Sequence, residues 1–446
     1  MDLDAQRKVA PDRAILGIDS VHGVLRTHLP LREPALNHSA GTGYNPRMAL
    51  LKKLIHDIVI ALTRVFSPLM PDRSPVTLVG PGSAKELCRS IAQSGVTKCL
   101  VVTDQGLVDL GLIGRITANL DEAGVASTVY SGVQPDPTFT HVEEGLAKLR
   151  EAGAQAVIAV GGGSPMDAAK IIATMATNNK PLLSLKGWFR VRKAPMPLYA
   201  IPTTAGTGSE VTIAAVISDP TTHTKNFFVD PKLVPSMAAL DASLMTGLPP
   251  HITAATGMDA LTHAVESYMA PTSTAQTERY ATMAVRLIFE NLAKAHKDGN
   301  DLPARSAMAL ASFYAGMAFS RTSVGYVHAI AHNLGATYGT PHGWANALVL
   351  PHVLEFSVEP ARERLAQLAD VAGLAGATNG EKARRFIDAV RELKEGVGIP
   401  PTLGDLKRED IPSIAERALA EAWANYPVPR YMNQAQAELL IGKLVA

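Results

Sequence analysis

The distribution of apolar residues along this chain of 446 residues changes once, at about Pro250. Before that point, short apolar runs alternate with stretches of helical periodicity, a pattern typical of a parallel sheet with helices on both faces. After it, strand signals vanish, and long helical patterns rich in Ala, Leu and Met continue towards the C-terminus. The sequence therefore predicts a Rossmann-like α/β domain at residues 75–250 and an all-helical domain at residues 251–446.

The same periodicities place individual elements. The predicted strands lie at residues 98–103, 125–130, 156–160 and 198–201. The first of these strands is followed by a helical stretch that ends at Leu120. Further predicted helices lie at residues 142–152, 165–174, 254–268, 277–295, 304–319 and 326–335.

Residues 1–74 form a separate extension in this prediction. Up to residue 47 they show no sustained periodicity. An amphipathic helix is then predicted from apolar residues at helical spacing, namely Leu51, Leu54, Ile55, Ile58, Leu62 and Val65. We expect this helix to pack on its own protein or on a neighbouring subunit. Contact with a membrane surface is the alternative, which the moderate basic charge of the polar face disfavours.

Composition excludes several classes of protein. The formal net charge of +1 provides no global field that would attract nucleic acid or an anionic membrane. Charged residues interrupt the apolar stretch at 48–70, and the first residues contain no apolar core of a secretory signal. Cys88 and Cys99 are expected to be buried apolar residues rather than a disulfide or a zinc pair. We therefore expect a cytoplasmic protein without a transmembrane segment.

A run of glycines suggests a nucleotide phosphate site. Gly161, Gly162, Gly163 and Ser164 follow the predicted strand at 156–160 and open a predicted helix. Glycines allow a pyrophosphate to approach the backbone closely, and the N–H groups at a helix N-terminus favour its charge. A tight turn required by packing is the structural alternative. The run does not match the G-x-G-x-x-G fingerprint, so the prediction depends on its placement after a strand.

Two further features belong to the same predicted cofactor site. Thr203, Thr204 and Thr207 lie in a Thr/Gly-rich loop directly after the strand at 198–201, where their hydroxyls could bind phosphate or ribose. Asp104 ends the strand at 98–103, where an acid can accept a hydrogen bond from a ribose 2′-hydroxyl and repel a 2′-phosphate. That interpretation favours NAD over NADP. The alternative is that Asp104 caps the next helix.

Acidic and imidazole side chains at helical spacing predict a metal site. Asp259 and His263 are four residues apart in an Ala-rich predicted helix, so they share one face. His328 and His332 repeat this spacing, and His342 follows across a short loop. One carboxylate with several imidazoles suits a divalent ion such as Fe(II) or Zn(II). Each histidine alone would more often be structural.

Four motifs together resemble the iron-containing (group III) alcohol dehydrogenase family. They are AVGGGSPMDAAK at 159–170, IPTTAGTGSEVT at 201–212, LPPHITAATGMDALTHAVE at 248–266 and VHAIAHNLGATYGTPHGWANALVLPH at 327–352. The resemblance extends from about residue 76 to the C-terminus. It implies a dehydroquinate synthase-like architecture, in which the active site lies between a dinucleotide-binding domain and a helical domain.

The resemblance also implies roles for single residues. The residues that match the family's metal ligands are Asp259, His263, His328 and His342. The resemblance favours Fe(II) over Zn or Mn. A histidine that relays protons falls on His332. The cofactor contacts fall on Asp104, Gly162, Gly163, Ser164, Thr203, Thr204, Thr207 and Lys225. The chain departs from some members at Asp136, where they carry Asn in a loop beside the cofactor.

The expected function is hydride transfer between NAD and a small alcohol, aldehyde or ketone, in a homo-oligomer. A hydroxyacid–oxoacid transhydrogenase, or an enzyme that never releases its nicotinamide, would use the same site. A dehydroquinate-synthase-like lyase is disfavoured because the motifs offer few basic residues for a phosphorylated substrate. An inactive scaffold is disfavoured because the ligand and glycine sets are complete.

Overall fold

A computed structural model describes residues 73–222 and 224–446, together with residues 57, 58, 60, 61 and 64. The predicted N-terminal amphipathic helix therefore lies largely outside the described residues. Its described positions are helical, and Arg64 donates a hydrogen bond to the carbonyl of Pro271. Within the described part of the chain, no helix is both long enough and apolar enough to cross a membrane.

The first half of the described chain is built on a six-stranded parallel sheet. Its strands are β1 (Val76–Val79), β2 (Lys98–Val102), β3 (Ala126–Tyr130), β4 (Ala156–Gly161), β6 (Leu198–Pro202) and β9 (Met237–Leu240), in the order β1-β9-β6-β4-β2-β3. A small second sheet contains β5 (Gly187–Trp188), β7 (Ala214–Ser218) and β8 (Lys225–Val229), in the order β5-β8-β7. The four strands predicted from the sequence are confirmed as β2, β3, β4 and β6, and the other five strands were not predicted.

Helices follow each of the first four strands of the main sheet and cover both of its faces, whereas the connection from β6 to β9 runs through the second sheet. They are α1 (Ser83–Gln93), α2 (Gln105–Asp109), α3 (Leu112–Glu122), α4 (Phe139–Ala152) and α5 (Gly163–Thr177). The helical stretch predicted to end at Leu120 is in fact two helices, because Gly111 adopts a φ of 72° between them. Alternate residues of β2 and β4 contribute to two separate apolar cores, one on each face. This explains why β4 is buried at every position.

After residue 250 the described chain contains α-helices, one short 3-10 helix and an isolated β-bridge between Leu403 and Val445, but no strand, in agreement with the sequence prediction. The helices are α6 (Pro250–Met269), α7 (Ala275–Lys297), α8 (Leu302–Thr322), α9 (Tyr326–Tyr338), α10 (His342–Val371), α11 (Asn379–Gly396), α12 (Ile411–Asn425) and α13 (Gln434–Gly442). They enclose one large apolar core. Helix α6 is almost entirely buried from Gly257 onwards, so its polar side chains must find partners inside the protein.

The two cysteines are buried and unpaired, as predicted. Cys88 lies in α1 and Cys99 in β2, and both belong to the apolar core on one face of the sheet. Burial raises the pKa of each thiol to about 12. Both side chains therefore remain protonated at neutral pH and act as small apolar residues.

A glycine contact joins the loop after β6 to the helical half. Gly208 has a φ of 59°, and a Cβ there would lie 2.7 Å from the Cα of Gly316 in α8 and 2.9 Å from the carbonyl oxygen of Ser312. The Gly208 backbone N–H also donates to the Ser312 hydroxyl. A side chain at position 208 would therefore push the loop away from α8.

We expect Gly208→Ala to lower the free energy of unfolding by about 3 kcal/mol or more, since backbone strain and overpacking add. Gly247→Ala is the matched control, because Gly247 has a φ of 78° but no atom within 4 Å of the added Cβ. That variant should lose only about 1 kcal/mol. Thermal unfolding of both variants measures the difference, and equal shifts in Tm would contradict the close contact.

Candidate metal centre and cofactor cleft

Three helices bring the predicted metal-ligating side chains together. Asp259 and His263 lie one turn apart in α6, His328 lies near the start of α9, and His342 is the first residue of α10. Gly339, with a φ of 66°, ends α9 and allows the chain to turn back towards α6. One potential ligand atom from each of the four side chains lies within 4.8 Å of all the others.

The distances show how the cluster is centred on the carboxylate. Asp259 Oδ1 lies 3.4 Å from His342 Nε2 and 3.9 Å from His328 Nε2. Asp259 Oδ2 lies 4.0 Å from His263 Nδ1. Asp259, His263 and His328 are all buried, whereas His342 retains partial access to solvent. The cluster therefore has an open side at His342.

The protonation states of these groups suit metal ligation. Burial lowers the pKa of His263 to about 4 and that of His328 to about 3. Burial also lowers the pKa of His342 well below its ordinary value. Burial alone would raise the pKa of Asp259, but the three histidines and a hydrogen bond from Asn346 hold it below its usual value. At neutral pH the cluster thus contains one carboxylate and three neutral imidazoles, the forms that bind metal ions.

One buried lone pair indicates that a cation fits between these groups. Nδ1 of His263 is buried and has no hydrogen-bond partner among the described residues, although it faces the Asp259 carboxylate. A buried ring nitrogen that faces a carboxylate without any donor is unfavourable. A divalent ion bound by both would remove that penalty, and the mixed nitrogen and oxygen donors suit Fe(II), Zn(II) or Mn(II).

A second carboxylate, that of Glu266, hydrogen-bonds to Nδ1 of His328, whereas Nε2 of the same ring faces Asp259. Glu266 Oε2 lies 2.6 Å from His328 Nδ1, and the Glu266 carboxylate also accepts hydrogen bonds from the backbone N–H groups of Gly325 and Val327, both at 2.8 Å. Burial raises the pKa of Glu266 to about 7, and the neutral ring of His328 carries one proton that it can donate to this carboxylate from Nδ1. With that proton on Nδ1, Nε2 of His328 has a free lone pair for a metal ion.

Sequence analysis missed Glu266 and Asn346. Glu266 follows Asp259 by seven residues, which places it on the same face of α6, and this spacing could have revealed it. Asn346 is fully buried one turn after His342, and its side-chain Nδ2 lies 2.7 Å from Asp259 Oδ1. It also lies 3.2 Å from Nε2 of both His328 and His342. Asn346 therefore orients the ligand atoms of the cluster.

The glycine run lies where the sequence predicts, at the carboxyl end of β4 and the start of α5. A Cβ on Gly162 would lie 3.3 Å from Thr204 Oγ1, and one on Gly163 would lie 3.0 Å from Thr207 Cγ2. The two predicted walls of the cofactor site are therefore in direct contact. The absence of side chains on these glycines keeps the backbone N–H groups at the start of α5 accessible.

The remaining residues of the two loops differ in exposure. The backbone N–H of Thr203 donates to the carbonyl of Gly161 at 3.0 Å, and the Thr203 side chain is buried. Ser164 lies in the first turn of α5 and is partly accessible. The same Thr/Gly-rich loop contacts the metal-binding helix α6, because a Cβ on Gly206 would lie 2.7 Å from Thr256 Cβ and 2.9 Å from Thr256 Cα. The loop therefore links the glycine run to the metal-binding helix.

Asp104 follows β2, which pairs with β4, so it lies on the same edge of the sheet as the glycine run. Its Oδ1 accepts a hydrogen bond from the Leu107 N–H at 3.0 Å and caps α2. The capping role considered from the sequence is therefore present. The position at the carboxyl edge, between strands whose connections run in opposite directions, is also where α/β sheets bind nucleotides.

Lys225 and Asp136 form an ion pair that the sequence did not predict. Lys225 Nζ lies 3.0 Å from Asp136 Oδ1, and Asp136 has a φ of 54°. Lys225 and Phe227 share one face of β8, and the Phe227 ring lies 6.1 Å from the ring of His332. The charge of Lys225 also contributes to lowering the pKa of His342. Lys225 is thus directed towards the cleft beside the metal cluster.

His332 lies beside the four-residue cluster rather than within it. Its ring stacks on that of His342 with centroids 5.2 Å apart. Phe319 stacks on His263 at 4.1 Å, which makes one wall of the cluster apolar. The sequence left open whether His352 lies near the site. It instead lies 3.7 Å from Glu355, in a separate group of charged residues.

Comparison with protein families gives two matches that together cover most of the chain. The model described as iron-containing alcohol dehydrogenase matches residues 74–242, and the model of the C-terminal part of the Fe-containing alcohol dehydrogenase family matches residues 253–445. The chain belongs to the iron-containing alcohol dehydrogenase family. The resemblance predicted from the sequence is therefore confirmed, as is the fold class.

Individual relatives support the assignment. Lactaldehyde reductase of Escherichia coli is 41% identical over 346 residues, covering 76% of this chain and 90% of that protein. NAD-dependent methanol dehydrogenase of Bacillus methanolicus is 38% identical over 351 residues, covering 78% and 92%. The crystal structure of a 1,3-propanediol oxidoreductase superposes with a TM-score of 0.81 at 38% identity, covering 83% of this chain and 98% of that one.

Membership in the iron-containing alcohol dehydrogenase family makes this chain an oxidoreductase. It acts on alcohols or aldehydes and depends on a metal ion and a nicotinamide dinucleotide. The cluster of Asp259, His263, His328 and His342 is the group of side chains suited to the metal within the described residues.

Proposed function

We propose that this chain transfers a hydride reversibly between NAD and a small alcohol, aldehyde or ketone, with Fe(II) held by Asp259, His263, His328 and His342. One observation carries the proposal, namely the convergence of four suitable ligand atoms on one largely buried point. The family supports iron, and the donor set is compatible with it. We also propose domain boundaries at residues 74/75 and 250/251.

In this proposal, separate groups of residues hold the metal ion and bind the cofactor. A divalent ion, when bound, supplies a Lewis acid that lowers the pKa of an alcohol hydroxyl. Gly162, Gly163 and Ser164 bind the pyrophosphate at the start of α5, because this helix N-terminus attracts negative charge. Thr203, Thr204 and Thr207 are proposed to line the opposite wall, and the side chains of Thr204 and Thr207 lie against these glycines. Lys225 adds a positive charge on the cofactor side.

His332 is proposed to exchange the hydroxyl proton with solvent. Imidazole is suited to this exchange because it gains and loses a proton near neutral pH. The position of His332 next to His342 and on the accessible side of the cluster supports this role. On the other side, the ring of Phe319 stacks on the buried His263 and covers it with apolar surface. Homo-oligomer formation and a cytoplasmic location stay predictions from the sequence.

The direct test is metal analysis of the purified protein combined with an NAD-linked screen of small alcohols. We expect about one iron per chain and growth of the NADH absorbance band when a primary alcohol is added with NAD. If the protein oxidises alcohols only when a second carbonyl compound is present, and never reduces free NAD, it is a transhydrogenase or an enzyme that never releases its nicotinamide. A protein that contains no divalent metal and shows no turnover would contradict the proposal.

The choice of NAD over NADP is proposed to depend on Asp104. In Asp104→Ser, the serine can still cap α2, but the negative charge that would repel a 2′-phosphate is removed. We expect the ratio of kcat/KM for NADP to kcat/KM for NAD to rise about tenfold or more. Asp109→Ser, which removes a nearby exposed charge in α2, should leave the ratio within about twofold. An unchanged ratio in Asp104→Ser would exclude this role.

A further inference from the structure

His332 is held by a residue from a distant part of the chain. Glu421 lies in α12, 89 residues further along, and its Oε1 is 2.7 Å from His332 Nδ1. Both side chains are mostly buried, with 14% of His332 and 19% of Glu421 exposed. The ring of His332 is packed at the same time against His342 and Phe227. The imidazole thus has a defined partner on one nitrogen and a defined packing for its ring.

The Glu421 carboxylate is itself fixed by further hydrogen bonds. The hydroxyl of Tyr426 donates to Oε1 at 2.6 Å, and the side-chain amide of Asn333 donates to Oε2 at 3.3 Å. Asn333 is in turn held by Arg417, whose Nε donates to Asn333 Oδ1 at 3.0 Å. Rotation of the carboxylate would break these contacts. Glu421 is therefore a rigid acceptor for His332.

The charge state of Glu421 determines which nitrogen of His332 carries the hydrogen. Burial alone would raise the pKa of Glu421, but the hydrogen bonds with His332 and Tyr426 hold it below its usual value. An ionised carboxylate can only accept hydrogen bonds, so Nδ1 of His332 must be the donor. The neutral ring then has its lone pair on Nε2, and the hydrogen bond sets the direction of that lone pair.

We propose that Glu421 is a positioning residue that orients His332 and holds it in the tautomer with a free Nε2. This inference rests on the proposed function, which assigns proton exchange to His332. Tyr426 contributes by fixing the carboxylate. Helix α12 thereby contributes Glu421 to the active site, although all four metal-binding residues precede this helix in sequence.

A purely structural role makes a different prediction. Glu421 also joins α12 to α9, so its loss could simply loosen the packing of these two helices. In that case a substitution would lower Tm and reduce metal content, and its effect on turnover would not require His332. An effect that passes through the imidazole must instead disappear once the imidazole is removed.

The experiment compares Glu421→Gln, His332→Ala and the double variant, each loaded with Fe(II), in the oxidation of 1-propanol by NAD. Glu421→Gln keeps the size of the side chain but can present an amide N–H to Nδ1. We expect kcat to fall about 10- to 100-fold, a part of the roughly 100- to 10,000-fold that general acid–base catalysis contributes, while KM for the alcohol changes less than about twofold. Metal content and Tm should match the wild type. Glu416→Gln, an exposed change in the same helix, should have no effect.

The double variant decides between the two roles. We expect Glu421→Gln to change kcat less than about twofold in the His332→Ala background. Full additivity, or a fall in Tm and metal content that accounts for the lost turnover, would overturn the inference. If His332→Ala is slow but Glu421→Gln is as fast as the wild type, the inference alone fails. If His332→Ala is as fast as the wild type, the proposed proton exchange at His332 fails with it.

Glu421→Asp provides a check that does not depend on the glutamine variant folding. It keeps the charge but withdraws the carboxylate from the imidazole by one methylene. We expect kcat to lie between those of the wild type and His332→Ala, with unchanged metal content. A kcat equal to that of the wild type would argue against a requirement for the 2.7 Å contact.

Discussion

Asp259→Asn is expected to purify without its metal ion and to lose turnover by about 100-fold or more, since several kcal/mol of transition-state stabilisation depend on the ion. The substitution keeps the shape of the side chain but removes the one ionised group among the four ligands. Three neutral imidazoles would remain, and Asn346 would lose its charged acceptor at 2.7 Å. Metal content per chain, measured with turnover on the same preparation, checks this result.

The control for this variant is Asp388→Asn, which removes a carboxylate that pairs with Arg391 at the surface, at 2.9 Å. Exposed ion pairs contribute about 0–1 kcal/mol, so this variant should keep its metal and its turnover. Asp259→Asn should also unfold at a temperature that no longer depends on added Fe(II), whereas the wild type should be stabilised by it. Retention of one ion per chain in Asp259→Asn, with normal turnover, would contradict the assignment of the metal centre.

Glu266→Ala is expected to lower the free energy of unfolding by about 3 kcal/mol or more, because it leaves buried donors without an acceptor. These donors are the backbone N–H groups of Gly325 and Val327 and the Nδ1 of His328. A carboxylate behind a metal-binding histidine also strengthens metal binding, and its loss typically weakens it about 10- to 100-fold. Thermal unfolding and equilibrium titration with Fe(II) measure the two effects separately.

Glu266→Gln provides a milder version of the same test. Its amide oxygen can still accept a hydrogen bond, but its N–H group must face one of the three donors. We expect a smaller loss of stability than in Glu266→Ala and a weaker affinity for Fe(II) than in the wild type. Glu290→Gln, which disrupts an exposed pair with Arg286, should change stability by less than about 0.5 kcal/mol. Wild-type Fe(II) affinity in both Glu266 variants would show that metal binding by His328 does not depend on its hydrogen bond with Glu266.

Local patterns were sufficient to predict much of the fold. The strand β4 and the helix α5 were recognisable because a fully apolar run leads directly into glycines and then into helical periodicity. The strands β8 and β9 were not recognised. The β9 run of four residues is too short to be distinguished from a helical segment, and β8 begins with a charged Lys225. β9 is a strand because it pairs with β1, which is distant in sequence, whereas β8 is a strand because it pairs with β7, the strand just before it.

The residues of the site likewise divide into those that local spacing predicts and those whose proximity depends on tertiary packing. Asp259 and His263 share a face of α6 because helical spacing alone requires it. That His342 reaches the same carboxylate depends on the turn at Gly339 and on the packing of α10 against α6. Asp136 could be identified as unusual from the sequence, but its partner Lys225 became evident only when the loop of Asp136 and the strand β8 were brought together.

The sequence by itself determined the two-part architecture, the family, and which side chains share a helix face. These properties follow from periodicity and motifs that extend over at most a few dozen residues. Only the tertiary structure decided that three helices converge on Asp259 and that Glu266, Asn346 and Glu421 support the imidazoles. The physical reason is that such contacts depend on how separate helices pack, and the spacing along any one helix contains no information about its neighbours.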